Sequence, residues 1–155
     1  DTGLLRNAIR LEAIPAIERA TGRTVRDTFA RTAGLLRADA DTLWQQACVV
    51  ADGMVAASSE NGEHVFAIEA EALAALSPPM ASRVVRRAFQ LADLPWTEAT
   101  IDAVVDLAAG RPGRRRDLQS GLRVERDREY VRGTGPALEA GKDPGALDRS
   151  QGDTP

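Results

Sequence analysis

The sequence predicts a mainly α-helical protein with a long connector helix, a small helical bundle and a short terminal β-hairpin. The apolar fraction is 43% while aromatic residues make up only 4%, so the core consists of Leu, Val, Ile and Ala. This composition favours helices over a sheet sandwich. Apolar residues recur at steps of three and four until Gly110, after which they alternate. The change of period predicts helices first and a hairpin last.

A first helix is predicted from Leu4 to Ile14, where apolar residues point in several directions around the helical wheel. This pattern is typical of a helix that is contacted on most of its sides. Pro15 ends or restarts the helix, because proline cannot continue the hydrogen-bond ladder but suits a first turn. A short second helix then ends at Gly22, and residues 1–23 form the first predicted segment.

A long amphipathic helix is predicted for the second segment, residues 24–57. Thr24 is a suitable N-cap, and apolar residues follow at every third or fourth position from Val25 to Met54. At 1.5 Å per residue the helix is roughly 45 to 50 Å long. A helix of this length is better suited to connecting two packed units than to packing within one.

Three further segments are predicted. Residues 58–110 form a small helical bundle, in which "SSENGEH" breaks the long helix, "VFAI" is strand-like or extended, and Gly110 ends the last helix. Residues 111–132 combine the basic loop "RPGRRRDLQSG" with a β-hairpin in "LRVERDREYVR". Residues 133–155 are rich in Gly, Pro and acids without any period, and they are predicted to form a disordered tail.

The charged residues are dominated by arginine. The net charge is −3, and all cationic side chains except Lys142 are arginines. A GC-rich genome explains this skew most simply, although each guanidinium still offers a planar fork for phosphate. The negative net charge argues against a general nucleic-acid coat and leaves only local clusters as candidates.

Several functional classes are excluded by what the sequence lacks. A single cysteine, Cys48, and a single histidine, His64, rule out an intrachain disulfide and a thiol or histidine metal cluster. No apolar run approaches the ~18 residues of a membrane span, and no signal-peptide pattern opens the chain. We therefore expect a cytoplasmic protein without membrane contact.

Arg6, Asn7 and Arg10 are the first candidate binding residues. The two arginines lie four residues apart, so they share one flank of the first helix with the asparagine beside them. On spacing alone, they are exposed charges or pair with carboxylates of their own fold. Because the other directions of the helix are apolar, we expect the guanidiniums near a buried or cleft surface, where an anionic ligand or an acid must offset them.

Residues 1–18 resemble a segment of the tRNA(Ile)-lysidine synthase family, at which the ATP-binding domain continues into a helical connector. The pattern is "D-x-x-L-x-R-N-x-I-R-x-x-x-I-P-x-I-E", with Leu4 in place of an aromatic residue and Ala8 in place of an arginine. The stretches "FARTAGLLRADADTL", "ALSPPMASRVVRRAF" and "LQSGLRVERDREYVR" are similar to later parts of that family. The matching residues of the first segment are Asp1, Arg6, Asn7, Ile9, Arg10, Pro15 and Glu18.

The resemblance implies a carbon–nitrogen ligase. With ATP and Mg²⁺, such an enzyme adenylates C2 of the wobble cytidine of tRNA(Ile) with a CAU anticodon, and free L-lysine then displaces AMP. The chain has no Ser-Gly-Gly-x-Asp-Ser loop of the kind that cradles the ATP phosphates in that family. We therefore expect the C-terminal part of a longer polypeptide that is inactive alone, with ATP and Mg²⁺ bound by the missing N-terminal domain.

The same resemblance gives roles to the candidate residues. Residues 1–23 would end the catalytic domain and begin the connector, and Arg6, Asn7 and Arg10 would line the catalytic cleft. There they would bind substrate phosphate or the target cytidine, with an electrostatic and positional role. A homodimer stays possible.

Arg114, Arg115 and Arg116 of the basic loop are the second candidate site, as contacts to the tRNA backbone. Such a surface would be independent of sequence and sensitive to salt. Because Asp117, Glu125, Asp127 and Glu129 dilute the charge, a solvated hairpin is the competing interpretation. Three arginines of a preceding helix could extend the surface, and two tryptophans could stack on bases, although packing is the simpler role for both. These residues are Arg83, Arg86, Arg87, Trp44 and Trp96.

Two alternatives from other functional classes remain. A stand-alone helical adaptor would use the long amphipathic helix to bind a protein, with its arginines serving solubility. A small DNA-binding regulator fits less well, because the sequence contains no compact helix-turn-helix with a polar recognition helix.

Overall fold

The structure, a computed structural model, describes residues 2–60 and 62–136 of the chain. By its internal contacts the chain divides into two units, Asp1–Leu43 and Trp44–Pro155. Within the described ranges, no helix combines the length and the apolar character that crossing a bilayer requires.

The first unit begins with two helices joined by a wider turn. α1 (Thr2–Ala8) continues into a π-helical turn (Ile9–Ala13), and α2 (Ile14–Thr21) follows directly. The N–H of Ile14 donates to the carbonyl of Ile9, five residues back, immediately before Pro15. Because proline has no N–H and crowds the preceding turn, a local widening accommodates it within a continuous helical path. Gly22 ends α2 with a φ of 64°.

The long helix predicted after Thr24 is α3 (Val25–Met54), which starts in the first unit. None of the described side chains of residues 4–43 is buried. Leu4 is 69% exposed, and Leu11 and Leu36 are similarly open. The described residues therefore do not make the contacts that were predicted around the first helix.

The second unit contains a five-stranded antiparallel sheet with the strand order β1-β2-β5-β4-β3. The strands are β1 (Val55–Glu60), β2 (Glu63–Glu69), β3 (Arg115–Asp117), β4 (Arg123–Arg126) and β5 (Tyr130–Pro136). Three helices separate β2 from β3 in sequence: α4 (Ala70–Ala74), α5 (Pro78–Leu91) and α6 (Glu98–Ala109). A short 3-10 turn (Gln119–Gly121) connects β3 with β4.

Helices cover one face of this sheet and enclose its core. α5 packs on β1 and β2, and α6 packs on β4 and β5. The rings of Phe66 and Phe89 lie with their centroids 4.9 Å apart. Ala47 and Ala51, from the last turns of α3, complete the same core. Alternate residues of β2, β4 and β5 are buried, as expected for strands with one covered face.

The predicted fold class, mainly α with only a terminal hairpin, is wrong because the second unit contains this five-stranded sheet. The hairpin in residues 122–132 is present as β4 and β5, but it pairs with β2 on one side and β3 on the other. β1 ("VAASSE") and β3 ("RRD") are edge strands with few β-branched or aromatic residues. Their pairing rests on backbone hydrogen bonds, so a search for apolar alternation misses them.

Two further strands differ from the predicted segments. Glu60 pairs with Glu63, so β1 and β2 form a hairpin where "SSENGEH" predicts only a break in the helix. β5 runs on to Pro136 and includes the first residues of the predicted tail, and residues 137–155 lie outside the described part. A Cβ on Gly133 would lie 2.3 Å from the Phe66 ring, so glycine is required for this close approach.

Candidate nucleic-acid interface

Arg6, Asn7 and Arg10 lie on the helical path of the first unit. Arg6 and Asn7 belong to the last turn of α1, and Arg10 lies in the π-helical turn. All three side chains are exposed, and neither arginine forms an ion pair within the described residues. Their side chains are thus available to a ligand, and the role predicted for them in a catalytic cleft stays a prediction.

The basic loop after α6 is fastened to β4 by backbone hydrogen bonds. The N–H of Gly113 donates to the carbonyl of Arg126 over 2.7 Å, and the N–H of Arg126 donates to the carbonyl of Arg114 over 2.8 Å. The side chain of Arg126 extends the connection, because its Nη1 donates to the carbonyl of Gly110 over 2.8 Å. These bonds hold the loop at the C-terminal end of α6, where a guanidinium interacts favourably with the helix dipole.

Arg126 is a buried arginine within the hairpin, for which the competing interpretation predicted a solvated surface. Its side chain is only 8% exposed, and within the described residues it has no carboxylate partner. The alternation of β4 contained the signal, because Arg126 lies two residues after the buried Val124 and therefore on the same side. Its role is to position the loop, since buried atoms do not reach a ligand.

The structure separates the three loop arginines. Arg116 pairs in register with the buried Val124 and forms an ion pair of 3.5 Å with Asp106 on α6, so it lies on the covered side of the sheet. Arg115 is opposite Glu125 and lies on the other side. Arg114 precedes β3 and is exposed. Contact of all three with RNA stays a prediction, but they do not form one continuous patch.

The uncovered face of the sheet alternates charges between its strands. Arg123 pairs with Asp117 over 2.9 Å, and Arg132 pairs with Asp127 while its guanidinium lies 5.1 Å from the centre of the Tyr130 ring. The hydrogen bond and charge of Arg123 lower the pKa of the Asp117 carboxyl, and Asp117 raises the pKa of Arg123 in turn. The acids therefore neutralise much of the positive charge here, as the competing interpretation expected.

A second group of arginines lies on α5. Nη2 of Arg86 donates to Oε1 of Glu98 over 2.7 Å, and the same guanidinium lies 4.6 Å from the centre of the Trp96 ring. Trp96 is half-buried beneath this cation. One face of the Trp96 ring therefore contacts protein, in agreement with a packing role for this residue.

Among residues 2–60 and 62–136, no group of three or more His, Cys, Asp or Glu side chains is placed to hold a metal ion. No step of a nucleotide-dependent reaction is assigned to these residues.

A family comparison defines the class of the second unit. Residues 69–130 match the family model described as the TilS substrate binding domain. The match starts at the last residue of β2, takes in the three covering helices with β3 and β4, and ends at the first residue of β5. The three covering helices, together with β3 and β4, therefore match a substrate-binding domain.

The relatives of the chain identify the family more narrowly. The tRNA(Ile)-lysidine synthase of Thermobifida fusca (strain YX) is 32% identical over 136 residues, which cover 77% of this chain and 39% of the relative. The tRNA(Ile)-lysidine synthase of Solibacter usitatus (strain Ellin6076) is 35% identical over 130 residues, covering 82% and 29%. The chain therefore belongs to the tRNA(Ile)-lysidine synthase family and corresponds to a C-terminal portion, which confirms the predicted resemblance. It spans well under half the length of either relative.

Proposed function

We propose that this chain is the tRNA-binding part of a tRNA(Ile)-lysidine synthase, acting in the cytoplasm on tRNA(Ile) with a CAU anticodon. The observation that carries the proposal is the match of residues 69–130 with the substrate-binding domain, since this range contains all three helices that cover the sheet. The names of both relatives supply the substrate and the ligase activity.

In this proposal the chain holds the tRNA while the rest of the enzyme joins L-lysine to C2 of the wobble cytidine. ATP, Mg²⁺ and L-lysine bind outside this chain, so the chain alone is inactive. Arg6, Asn7 and Arg10 contact the substrate near the reacting base, and exposed arginines of the basic loop contact the RNA backbone. Guanidinium groups bind phosphate oxygens well. Such contacts fix the position of the protein on the RNA without recognising the base sequence.

The physical signature of this role is a steep dependence of affinity on salt. Each phosphate that an arginine neutralises releases condensed counterions, and added salt opposes that release. Structured RNA is bound mainly through its shape and backbone, so a stem of another tRNA should bind with similar strength. Selectivity for tRNA(Ile) then depends on the contacts near the anticodon.

The test is direct binding of the complete 155-residue chain to unmodified tRNA(Ile) by filter retention, at about 50 mM and about 200 mM salt. We expect an affinity that falls on the order of tenfold or more between these concentrations. Replacing Arg114 and Arg115 together by Gln should weaken binding, whereas the same change at Arg19 and Arg37, which are exposed on α2 and α3, should not. Absence of binding at the lower salt concentration would contradict the tRNA role of this chain.

A further inference from the structure

α5 carries three arginines on the side opposite to its buried residues. Arg83, Arg86 and Arg87, here called the arginine stripe, follow the spacing i, i+3, i+4 and therefore share one side of the helix. The helix contains no carboxylate. The buried side of the same helix consists of Ala81, Val84, Val85, Ala88 and Phe89.

Two of these guanidiniums are held in place by the protein. Nη1 of Arg83 donates to the carbonyl of Pro79 over 2.9 Å, one turn earlier in the helix. Arg86 is held between the Trp96 ring and the carboxylate of Glu98. A fork that is already ordered loses less conformational freedom when it binds an anion, so this arrangement favours binding.

Unused donors gather at the same place. Nε of Arg86, Nε of Arg87 and Nε1 of Trp96 are buried atoms without a hydrogen-bond acceptor in the described part of the chain. All three are donors only, so each can be satisfied only by an acceptor. Nε of Arg126 is also buried without an acceptor among the described residues, in another part of the fold. Because all four atoms are buried, an external anion reaches the stripe only through the terminal nitrogens of its guanidiniums.

The charge around the stripe is unbalanced. Glu98 pairs with Arg86, but Arg83 and Arg87 form no ion pair with any residue that the structure describes. The other acids of α6 do not offset them, because Asp106 pairs with Arg116 of the basic loop and Asp102 forms no ion pair within the described residues. Of the three acids of α6, Glu98 alone forms an ion pair with the stripe among the described residues, and the stripe is a cationic surface distinct from the loop.

We propose that the arginine stripe binds the phosphodiester backbone of the tRNA, with Arg83 and Arg87 contacting phosphates and Arg86 fixed beside them by Trp96 and Glu98. This inference rests on the proposed function and adds a second contact surface within the same substrate-binding domain. A polyanion is the expected ligand because the guanidiniums follow one another along a helix side without a carboxylate, and their terminal nitrogens suit phosphate oxygens. Contacts of this kind carry no sequence information.

The test compares the complete wild-type chain with Arg83→Gln/Arg87→Gln and with the control Arg19→Gln/Arg37→Gln, which removes the same charge from exposed positions of α2 and α3. Affinity for tRNA(Ile) is measured over a salt series. For the stripe variant we expect at least about tenfold weaker binding at low salt and a slope of log K against log salt that is smaller by about two. The control keeps the wild-type affinity and slope, and circular dichroism verifies that both variants are folded.

A second measurement needs no substitution. Phenylglyoxal modifies accessible arginines, and mass spectrometry of the wild-type chain with and without tRNA(Ile) reports which of them the RNA covers. We expect protection of Arg83 and Arg87 and continued reactivity of Arg37. Unprotected stripe arginines, or a folded stripe variant with wild-type affinity and slope, would overturn the inference and leave the proposed function intact. A wild-type chain that binds no tRNA would instead contradict the proposed function first.

Discussion

The two units of the chain use their apolar residues in opposite ways. In residues 4–43 no described side chain is buried, and Leu5, Leu11 and Leu36 are each more than half exposed. In the second unit Phe66, Ile68 and Phe89 are fully buried between helices and sheet. Burial of apolar area is the main stabilising term in folding, so the second unit has a source of stability that the described part of the first unit lacks. Burial therefore stabilises the second unit, whereas the contacts predicted near the reacting base belong to the first unit.

The largest expected effect is a loss of activity caused by a substitution in the first unit. In the intact enzyme, Arg10→Ala should lower lysidine formation on the order of a hundredfold or more, as the loss of a charged contact to the reacting group does elsewhere. The thermal unfolding midpoint should stay unchanged, because Arg10 is exposed and unpaired within the described residues. Lysine incorporation into tRNA measures the first quantity. Arg19→Ala, another exposed arginine of the same unit, serves as the control, and normal turnover of Arg10→Ala would contradict the cleft assignment.

The second prediction concerns stability. Phe66→Ala should lower the free energy of unfolding of the 155-residue chain by roughly 3–5 kcal/mol, since it removes a fully buried ring that packs on Phe89. Leu35→Ala should change it by less than about 0.5 kcal/mol, because Leu35 is 60% exposed. Urea denaturation followed by circular dichroism measures both. Equal losses for the two variants would show that the first unit is stabilised by burial as well.

The third prediction concerns close packing inside the core of the second unit. Gly133→Ala should cost about 1–3 kcal/mol, because the added Cβ would enter the Phe66 ring and force the surrounding side chains to shift. The smaller side chain of Phe66→Leu should relieve this clash. The double variant should therefore lose less stability than the sum of the two single losses. Strict additivity would mean that the two residues do not contact each other in solution.

The contrast between the units also explains which predictions from the sequence succeeded. The 3.6-residue period located α3, α5 and α6, because these helices bury or expose one continuous side. The sheet was missed because its edge strands pair through backbone atoms and carry small or charged side chains. The C-terminal part of β5 was not predicted, because Gly133 and Gly135 are typical of a loop. In the fold, these glycines make room for Phe66 and Leu94.

The candidate residues could be chosen from the sequence, but their arrangement could not. Sequence spacing identified the basic loop and the arginines of α5, but it could not show that Arg126 is buried or that Arg115 and Arg116 lie on opposite sides of the sheet. Those facts depend on strand register, which is set by pairing between residues far apart in sequence. The family was identified from short matching segments, which need no knowledge of register.

The smallest expected effect lies on the uncovered face of the sheet, at the pair of Asp117 and Arg123. Because Arg123 lowers the pKa of the Asp117 carboxyl below its ordinary 3.8, the pair stabilises the fold above that pH and loses its contribution as the pH falls through the lowered pKa. Both side chains are largely exposed, so solvent screens the interaction and the change in stability is small. An NMR titration of the Asp117 carboxyl should show a midpoint below 3.8 in the wild-type chain. In Arg123→Gln the midpoint should return toward the ordinary value, while Arg37→Gln leaves it unchanged. An Asp117 midpoint that is the same in the wild-type chain and in Arg123→Gln would mean that the ion pair does not persist in solution.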